Sequence, residues 1–413
     1  MADTLRPRDA KDVEAAVQSA LAAVKTVEIV GHGSKRVIGR PAQTDLTLDL
    51  SGLTGVTLYE PEELVLSAKA GTPLAEIEAL LAANGQQLAF EPMDYAVILG
   101  GHAGGGSIGG ALAANISGPR RIKAGAARDH FLGLCAVSGR GEIFKSGGRV
   151  VKNVTGYDLC KLMAGSWGTL AAMTDVTIKV LPRPETEQTL LIRGLEPAQA
   201  IAAMSNAMGS SCDVSGAAHL PADIAARLPA QEIAGGAVTA LRLEGFSPSV
   251  AARKHVLEAL MTPFGELATA DEARSRGLWT AIRDVIPFAA HPSTLSPREG
   301  EPPLWRISTA PSRGAELTAT IARSAPTQMF YDWAGGLIWL TIEAAADAGA
   351  ALIQRAVRIL GGHATLIRAP TSVRATIDVF APQDPALAAL TKRVKESFDP
   401  QGVLNPGRMW AGV

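Results

Sequence analysis

Between Asp9 and Val24, apolar residues recur at helical spacing (Val13, Ala16, Val17, Ala20, Leu21, Val24) behind an acidic start, which predicts a helix. The run VEIVG then predicts a short strand, giving a βα-type opening. GHGSKRVIGR reads as a glycine-rich, basic loop, and DLTLDLSGL alternates Leu46, Leu48 and Leu50 on one face, as in a half-buried strand. ELVLSAKAGTPLAEIEALLAANG predicts strand, turn and helix. Thr72 is the expected N-cap, Pro73 lies in the first turn, Leu74, Ile77, Leu80 and Leu81 share a face, and Gly85 ends the helix.

From Glu60 to Lys179 the pattern is mixed α and β, with glycine-rich loops between short strands. LPRPET (Leu181 to Thr186) marks a domain boundary. Beyond it, strand-like AVTALRLEGF and GLIWLTIEA alternate with helical segments such as AAALIQRAVRILGG, which predicts a second α+β domain. The four prolines between His291 and Pro303 predict a loop, and FDPQGVLNPGRMW reads as an ordered, turn-rich terminus.

At 413 residues the chain has room for two or three domains of roughly 150 residues each. Its 39 Lys and Arg against 40 Asp and Glu leave no general positive field, so nucleic acid is not an expected partner. With 47% hydrophobic and 19% charged residues, the chain is not a disordered one. Cys135, Cys160 and Cys212 are spaced by 25 and 52 residues, neither a disulfide framework nor a metal or iron–sulfur spacing. The N-terminal MADTLRPRDAKDVEAAV has acids and no apolar core, so it is not read as a secretory signal, and the expected location is cytoplasmic. The stretch between Asp94 and Arg120 lacks Asp, Glu, Lys and Arg, but it holds too many glycines to be a membrane helix.

Gly104, Gly106 and Gly109 spell G-x-G-x-x-G with Asp129 20 residues on, a literal dinucleotide fingerprint. The context contradicts it, because Gly118 and Pro119 stop the following helix early and Asp129 precedes an apolar run instead of ending one. What remains is two side-chain-poor loops, GHGSK (Gly31 to Lys35) and GGGSIGG (Gly104 to Gly110), with Lys35 and Arg36 beside the first. Such loops let backbone N–H groups approach a diphosphate, although either alone could be only a tight turn.

Taken in order, VGHGSK, EPMD, GGGSIGGALAANISGPRR, GAARDHFLG, NVTGYDLCKLMAGSWG and FDPQGVLNPGRMW resemble the FAD-binding domain of the vanillyl-alcohol oxidase type (PCMH-type) flavoproteins. GSKRVIGRP, LWRIS, DWAGGLIWL and GGHAT narrow the resemblance to the small FAD-binding subunits of bacterial glycolate oxidase, also called glycolate dehydrogenase. The resemblance implies an α+β protein with a two-lobed FAD domain over residues 1–182, its lobes at about 1–58 and 59–182. An α+β cap over 183–395 and a C-terminal segment, 396–413, returning to the FAD domain complete the expected organisation.

It also assigns cofactor contacts: Gly31, His32, Gly33, Ser34 and Lys35 in the first loop, then Gly104, Gly105, Gly106, Ser107, Ile108, Gly109, Gly110 and Asn115 in the second, with Ser117 and Gly118 at the flavin edge. Pro92, the pair Arg128 and Asp129, Val176 at the adenine end and Asn405 in the terminal N-P-G turn join that set. Ser34 stands where relatives with covalent flavin carry histidine, so the FAD is expected to be non-covalent, with a bond to His32 as the alternative. Lys152, Lys161 and Arg128 are candidates to face the flavin's N1 and C2 carbonyl, and each could equally be a solvated cation.

The implied activity is oxidation of glycolate to glyoxylate. The expected partners are a larger flavin subunit and an iron–sulfur subunit, with peripheral attachment to the inner membrane through the complex. Two alternatives stay open: a self-sufficient FAD-dependent D-2-hydroxy-acid dehydrogenase, and a non-catalytic structural subunit. The seven histidines include no close pair for the metal of such dehydrogenases, so no metal is expected and the isolated chain should reduce poorly with glycolate. Arg306 is the candidate carboxylate ligand and His363 the candidate cap histidine, each against the reading of a structural hydrogen bond. Trp305, Trp333 and Trp339 are candidates for an aromatic docking surface, against the reading of buried core.

Overall fold

The computed structural model describes residues 3–149, 157–228, 235–290, 301–343 and 345–413, and three main sheets organise them. Helix Ala10–Ala22 begins where the Asp9 carboxylate accepts from the Lys11 and Asp12 amides, and it buries Val13, Val17 and Ala20. The first sheet is parallel, with Leu46–Asp49 between Asp3–Leu5 and Val27–Val30. That central position buries Thr47 as well as Leu46 and Leu48, so the strand is not half-buried. It ends at Asp49, and Leu50 falls in a 3-10 turn.

The second sheet is antiparallel, in the order Val56–Glu60, Val65–Lys69, Ala171–Lys179, Phe131–Ser138, Ile143–Gly147. Residue 58 lies inside its edge strand, so the chain passes from the first sheet to the second before Val56, earlier than expected. Helix Leu74–Ala83 packs Leu74, Ile77 and Leu81 into this core. Thr72 is not its N-cap: the hydroxyl donates to the Lys69 carbonyl at 2.7 Å and accepts from the Gly55 amide at 3.0 Å, leaving Pro73 at the cap position.

The third sheet has eight strands and an internal repeat. Thr186–Arg193, Gly216–Leu220, Val238–Gly245 and Leu267–Ala270, with helices Pro197–Met208 and Ser247–Met261, form a βαββαβ unit. Leu304–Ser308, Thr327–Asp332, Leu337–Ile342 and His363–Arg368, with helices Gly314–Ala322 and Ala350–Leu360, form a second. Within each unit the strand order is fourth, first, third, second, and the two second strands meet at His219 and Tyr331. The four helices cover one face of this sheet. The other face packs Leu304, Phe330, Leu337, Trp339 and Ile367 against Ile38, Met93, Tyr95 and Ile98. Both faces are therefore buried, which explains why Leu337–Ile342 is apolar on both faces except at Thr341, itself buried.

Helix Pro385–Phe398 runs through residue 395, the expected start of the returning segment, and turns Val394 and Phe398 onto the second-sheet core. The return therefore begins with this helix. Lys395 Nζ donates to the Thr169 and Leu404 carbonyls at 2.6 and 2.8 Å and to Asp399 at 2.7 Å. Asp399 accepts in turn from the Val403 and Leu404 amides. Leu404 then bridges to Val27 as a further parallel neighbour of the first sheet. Among the described residues, no helix is long and apolar enough to cross a membrane.

Asp399→Ala would leave the Lys395 ammonium buried without its counter-ion, and losing one partner of a buried pair costs about 3–5 kcal/mol. Urea denaturation should show a loss of that size, and a change under about 1 kcal/mol would contradict the tail's structural role.

Candidate functional site

A cavity lies where the loop after strand Val27–Val30 faces Ser107, Gly109 and Gly110. Its walls include Gly31, His32, Gly33, Ser34 and Lys35 from the first loop. Arg36 N donates to Gly33 O, closing a turn in which the amides of residues 32–35 have no acceptor among the described residues. At two points facing the cavity, one in each loop, a side chain would press on its neighbours. A Cβ on Gly31 would come within 2.9 Å of Ser107 Oγ, and one on Gly110 within 3.1 Å of Ser107 Oγ and 3.4 Å of Lys35 Nζ.

Among the described residues Lys35 Nζ bonds only the Ser34 hydroxyl, at 3.0 Å, and burial pushes it down to about 8, with Asp94 opposing that shift and Arg408 adding to it. Free amides, bare Cα positions and a deep-set ammonium suit the diphosphate of FAD. Sequence reasoning missed Arg408 and Trp167, which also line this cavity, although both lie inside quoted motifs, NPGR and SWG.

The remaining expected contacts divide. Gly104 and Gly106 line an adjoining space with Ser34, Lys35 and Pro92, and Gly104 N donates to Asp94 at 2.7 Å. The Gly105, Ile108 and Gly109 amides are already committed, to His102, Thr72 and Ala70 carbonyls respectively, and the Ile108 side chain is core. Asn115 accepts from the Arg128 amide and Ser117 from the Ala127 amide, so both fix the turn that carries Arg128 and Asp129. Val176 offers nothing to a ligand: its side chain is core and its backbone sits in a strand paired on both sides. Asn405 accepts from Ile29 N and donates to the Trp167 carbonyl, anchoring the tail beside the cavity instead of lining it. His32 Nε2 bonds the Gly71 carbonyl at 2.8 Å. Lys152 lies outside the described residues, and the Lys161 side chain pairs with Asp158.

The structure brings Arg306 and His363 together. Arg306 opposes Thr365 and Ser308 opposes His363, which puts both candidates on the sheet face turned to the FAD domain. Trp333 carries two guanidinium groups against its ring, Arg121 at 4.2 Å and Arg306 at 5.1 Å from the centroid. Its indole N–H donates to the Gly118 carbonyl at 3.0 Å, tying this cleft to the expected flavin edge. Trp333, Ala334 and Gly335 hold φ values of 51°, 56° and 100°, a strained left-handed run that places the ring.

Burial lowers the Arg306 and Arg121 pKa values, and burial plus these two cations lowers that of His363, leaving its imidazole neutral at pH 7. Asp332, near Arg306, is itself pushed up to about 7 by burial and so neutralises it only in part. Two guanidinium groups and an imidazole thus lie close enough to influence one another around Trp333. Of these, Arg121 was not among the expected residues.

Trp305 and Trp339 are buried core, as is Trp333, so none of the three forms a docking surface. Glu91 of EPMD and Arg120 of GPRR join cap to FAD domain: Arg242 grips Glu91 through two bonds of 3.0 and 2.9 Å, and Arg120 bonds both Glu91 and Glu244. Burial opposes the Glu244 carboxylate, but Arg242 and Arg120 outweigh it and hold the group at about 2.

The Lys35 value fixes a pH dependence. Between about 8 and its ordinary 10.5, the unfolded chain binds a proton that the folded, cofactor-free chain does not, so stability without cofactor rises with pH across that window. Affinity for a diphosphate falls over the same window as the ammonium is lost. Fluorescence titration should show weaker FAD binding at pH 9.5 than at 7.5, and a flat profile would remove Lys35 from the site.

Residues 2–147 match the family described as FAD binding domain, and residues 381–409 match the C-terminal domain of FAD linked oxidases. The glycolate oxidase subunit GlcE of Escherichia coli (strain K12) is 34% identical over 396 residues, covering 96% of this chain and 95% of that protein. A D-2-hydroxyglutarate dehydrogenase of Xanthomonas citri pv. viticola is 32% identical over 189 residues, 45% of this chain and 38% of its own length. p-Cresol methylhydroxylase shares the fold, with a TM-score of 0.72 at 13% identity over 98% of this chain and 88% of that one. With its FAD-binding domain, its C-terminal segment and almost its full length accounted for, the chain belongs to the FAD-linked oxidases, in the family of glycolate oxidase subunit GlcE.

Proposed function

We propose that this chain is the FAD-binding subunit of a complex that oxidises glycolate to glyoxylate, and that it works with a larger flavin subunit and an iron–sulfur subunit. The observation that carries the reading is the cavity in which unpartnered amides of residues 32–35 meet Lys35 and Arg408. The family relationship supports the substrate class. Three cysteines so far apart in sequence spell no cluster motif, which supports a partner that takes the electrons onward. Attachment to the inner membrane would come through that complex. The FAD is non-covalent, since Ser34 replaces the linking histidine and His32 Nε2 is engaged by Gly71. The proposed organisation is an FAD domain to about residue 182, a cap from 183, and a returning segment that starts with helix Pro385–Phe398.

Within this reading Arg306 and Arg121 hold the substrate carboxylate, and neutral His363 accepts the hydroxyl proton. FAD, when bound, would supply the acceptor for the hydride that leaves the carbon bearing the hydroxyl, so the hydride and the hydroxyl proton depart, two electrons and two protons in all, and the oxo acid remains. This cleft revises the expectation of poor reduction by glycolate alone, because its carboxylate ligands and base do not depend on a metal pair. The Gly110 Cα faces the cavity inside helix Ile108–Ala113, so Gly110→Val fills the space without demanding a left-handed backbone.

Gly110→Val should fold and lose its flavin; full flavin content in that variant would disprove the cofactor site. Arg306→Met should keep its flavin and lose about 100-fold or more in the rate of anaerobic bleaching by glycolate, the size expected when a charged substrate contact is removed. Bleaching at the wild-type rate would move the carboxylate site elsewhere.

A further inference from the structure

Arg408 lies in the C-terminal segment, 373 residues from the first loop, yet its Nη2 donates to the Lys35 carbonyl at 3.0 Å. Its guanidinium sits over the Trp167 ring at 5.6 Å, and its Nε is buried with no hydrogen-bond partner. Gly39 makes room for this placement: at φ +95° it passes so close that a Cβ would meet the Arg408 carbonyl at 2.9 Å. Arg40 N donates to that same carbonyl, so the backbone of Arg408 is pinned on the stretch following the first loop.

Charge sharpens the observation. The carboxylate that Arg408 feels, Glu28, is already held by Arg36 at 2.9 Å and by a second, shorter bond, while Arg36 and Arg374 add positive charge. Burial pushes Arg408 down to about 10. A guanidinium set this deep, with an orphaned N–H and a neighbouring ammonium in the same cavity wall, is costly unless an anion completes it.

We propose that Arg408 is a ligand of the FAD diphosphate, so that cofactor binding and docking of residues 399–413 are one coupled event. The proposal rests on the FAD reading above and adds to it a third chain segment, remote in sequence, that closes on the cofactor. Lys35 and Arg408 then meet the diphosphate side by side from one wall of the cavity. The tail reaches its place through contacts of its own, Asn405 on Ile29 and Trp167 and the Lys395–Asp399 pair, and the diphosphate adds the contact that is missing at Arg408.

The test compares FAD with riboflavin, which lacks the diphosphate, on flavin-free wild type and Arg408→Gln, while following hydrogen exchange of residues 399–413. Wild type should prefer FAD strongly and protect the tail amides when FAD or inorganic pyrophosphate is added. Arg408→Gln should bind riboflavin as wild type does, lose about tenfold or more in FAD affinity, and lose the added protection. An unchanged preference for FAD over riboflavin in Arg408→Gln would overturn the proposal while leaving the FAD site intact. Failure of wild type to bind FAD at all would overturn the underlying reading as well. Should Arg408→Gln not fold, the pyrophosphate arm on wild type decides: no gain in tail protection contradicts the coupling.

Discussion

Lys35 and Arg408 share one cavity wall and, among the described residues, no carboxylate is bonded to either, a placement that is tolerable in the proposed reading because an anion fills the space beside them. The rest of the molecule serves that condition. The parallel first sheet delivers the loop whose amides of residues 32–35 stay free, and the second sheet carries Ser107 and Gly110 opposite them through the turn at Thr72. The tail, fixed by Lys395, Asp399 and Asn405, brings in the second cation. Each segment has its own packing reason to be there, and in the proposed reading the charge they jointly expose is satisfied by the cofactor.

The cap obeys a different constraint. Its two βαββαβ units give an eight-stranded sheet with both faces buried, and the face away from their four helices is shared by helix Glu272–Arg283 and the FAD domain. A purely apolar contact would leave the register of the two domains loosely specified. The Glu91, Arg120, Arg242 and Glu244 cluster gives it a directional lock, and the same register brings Arg306 and His363 over the loop that ends at Gly118. Cap docking and assembly of the cleft are therefore the same event.

Much of this was legible in the sequence because local rules dominate there. The helix behind Asp9, the strand Leu337–Ile342 and the two glycine loops were visible from spacing and from the absence of side chains. What was not legible depended on partners distant in the chain. Thr72 looks like an N-cap until Gly55 claims its hydroxyl, and the strand carrying Leu46 and Leu48 looks half-buried until Thr47 between them is found buried as well. Trp305 and Trp339 stay candidates for a docking surface, against the commoner fate of core, until both faces of the sheet are seen to be covered. Among the candidate site residues, Gly31 to Lys35 were identified directly, while Val176 and Asn115 carry roles that only the strand ladder and the Arg128 turn reveal. Arg121 and Arg408 escaped notice because a surface arginine and a cavity arginine look alike in sequence.

The account stands on one cofactor held by backbone amides and two cations, with no covalent bond. The most direct measurement is the visible spectrum of the purified chain before and after acid precipitation, with chromatography of the released flavin. The account predicts flavin absorbance bands, complete release into the acid supernatant, and intact FAD at about one equivalent per chain. A colourless chain that takes up no FAD on titration would contradict it, and so would colour that stays with the precipitate.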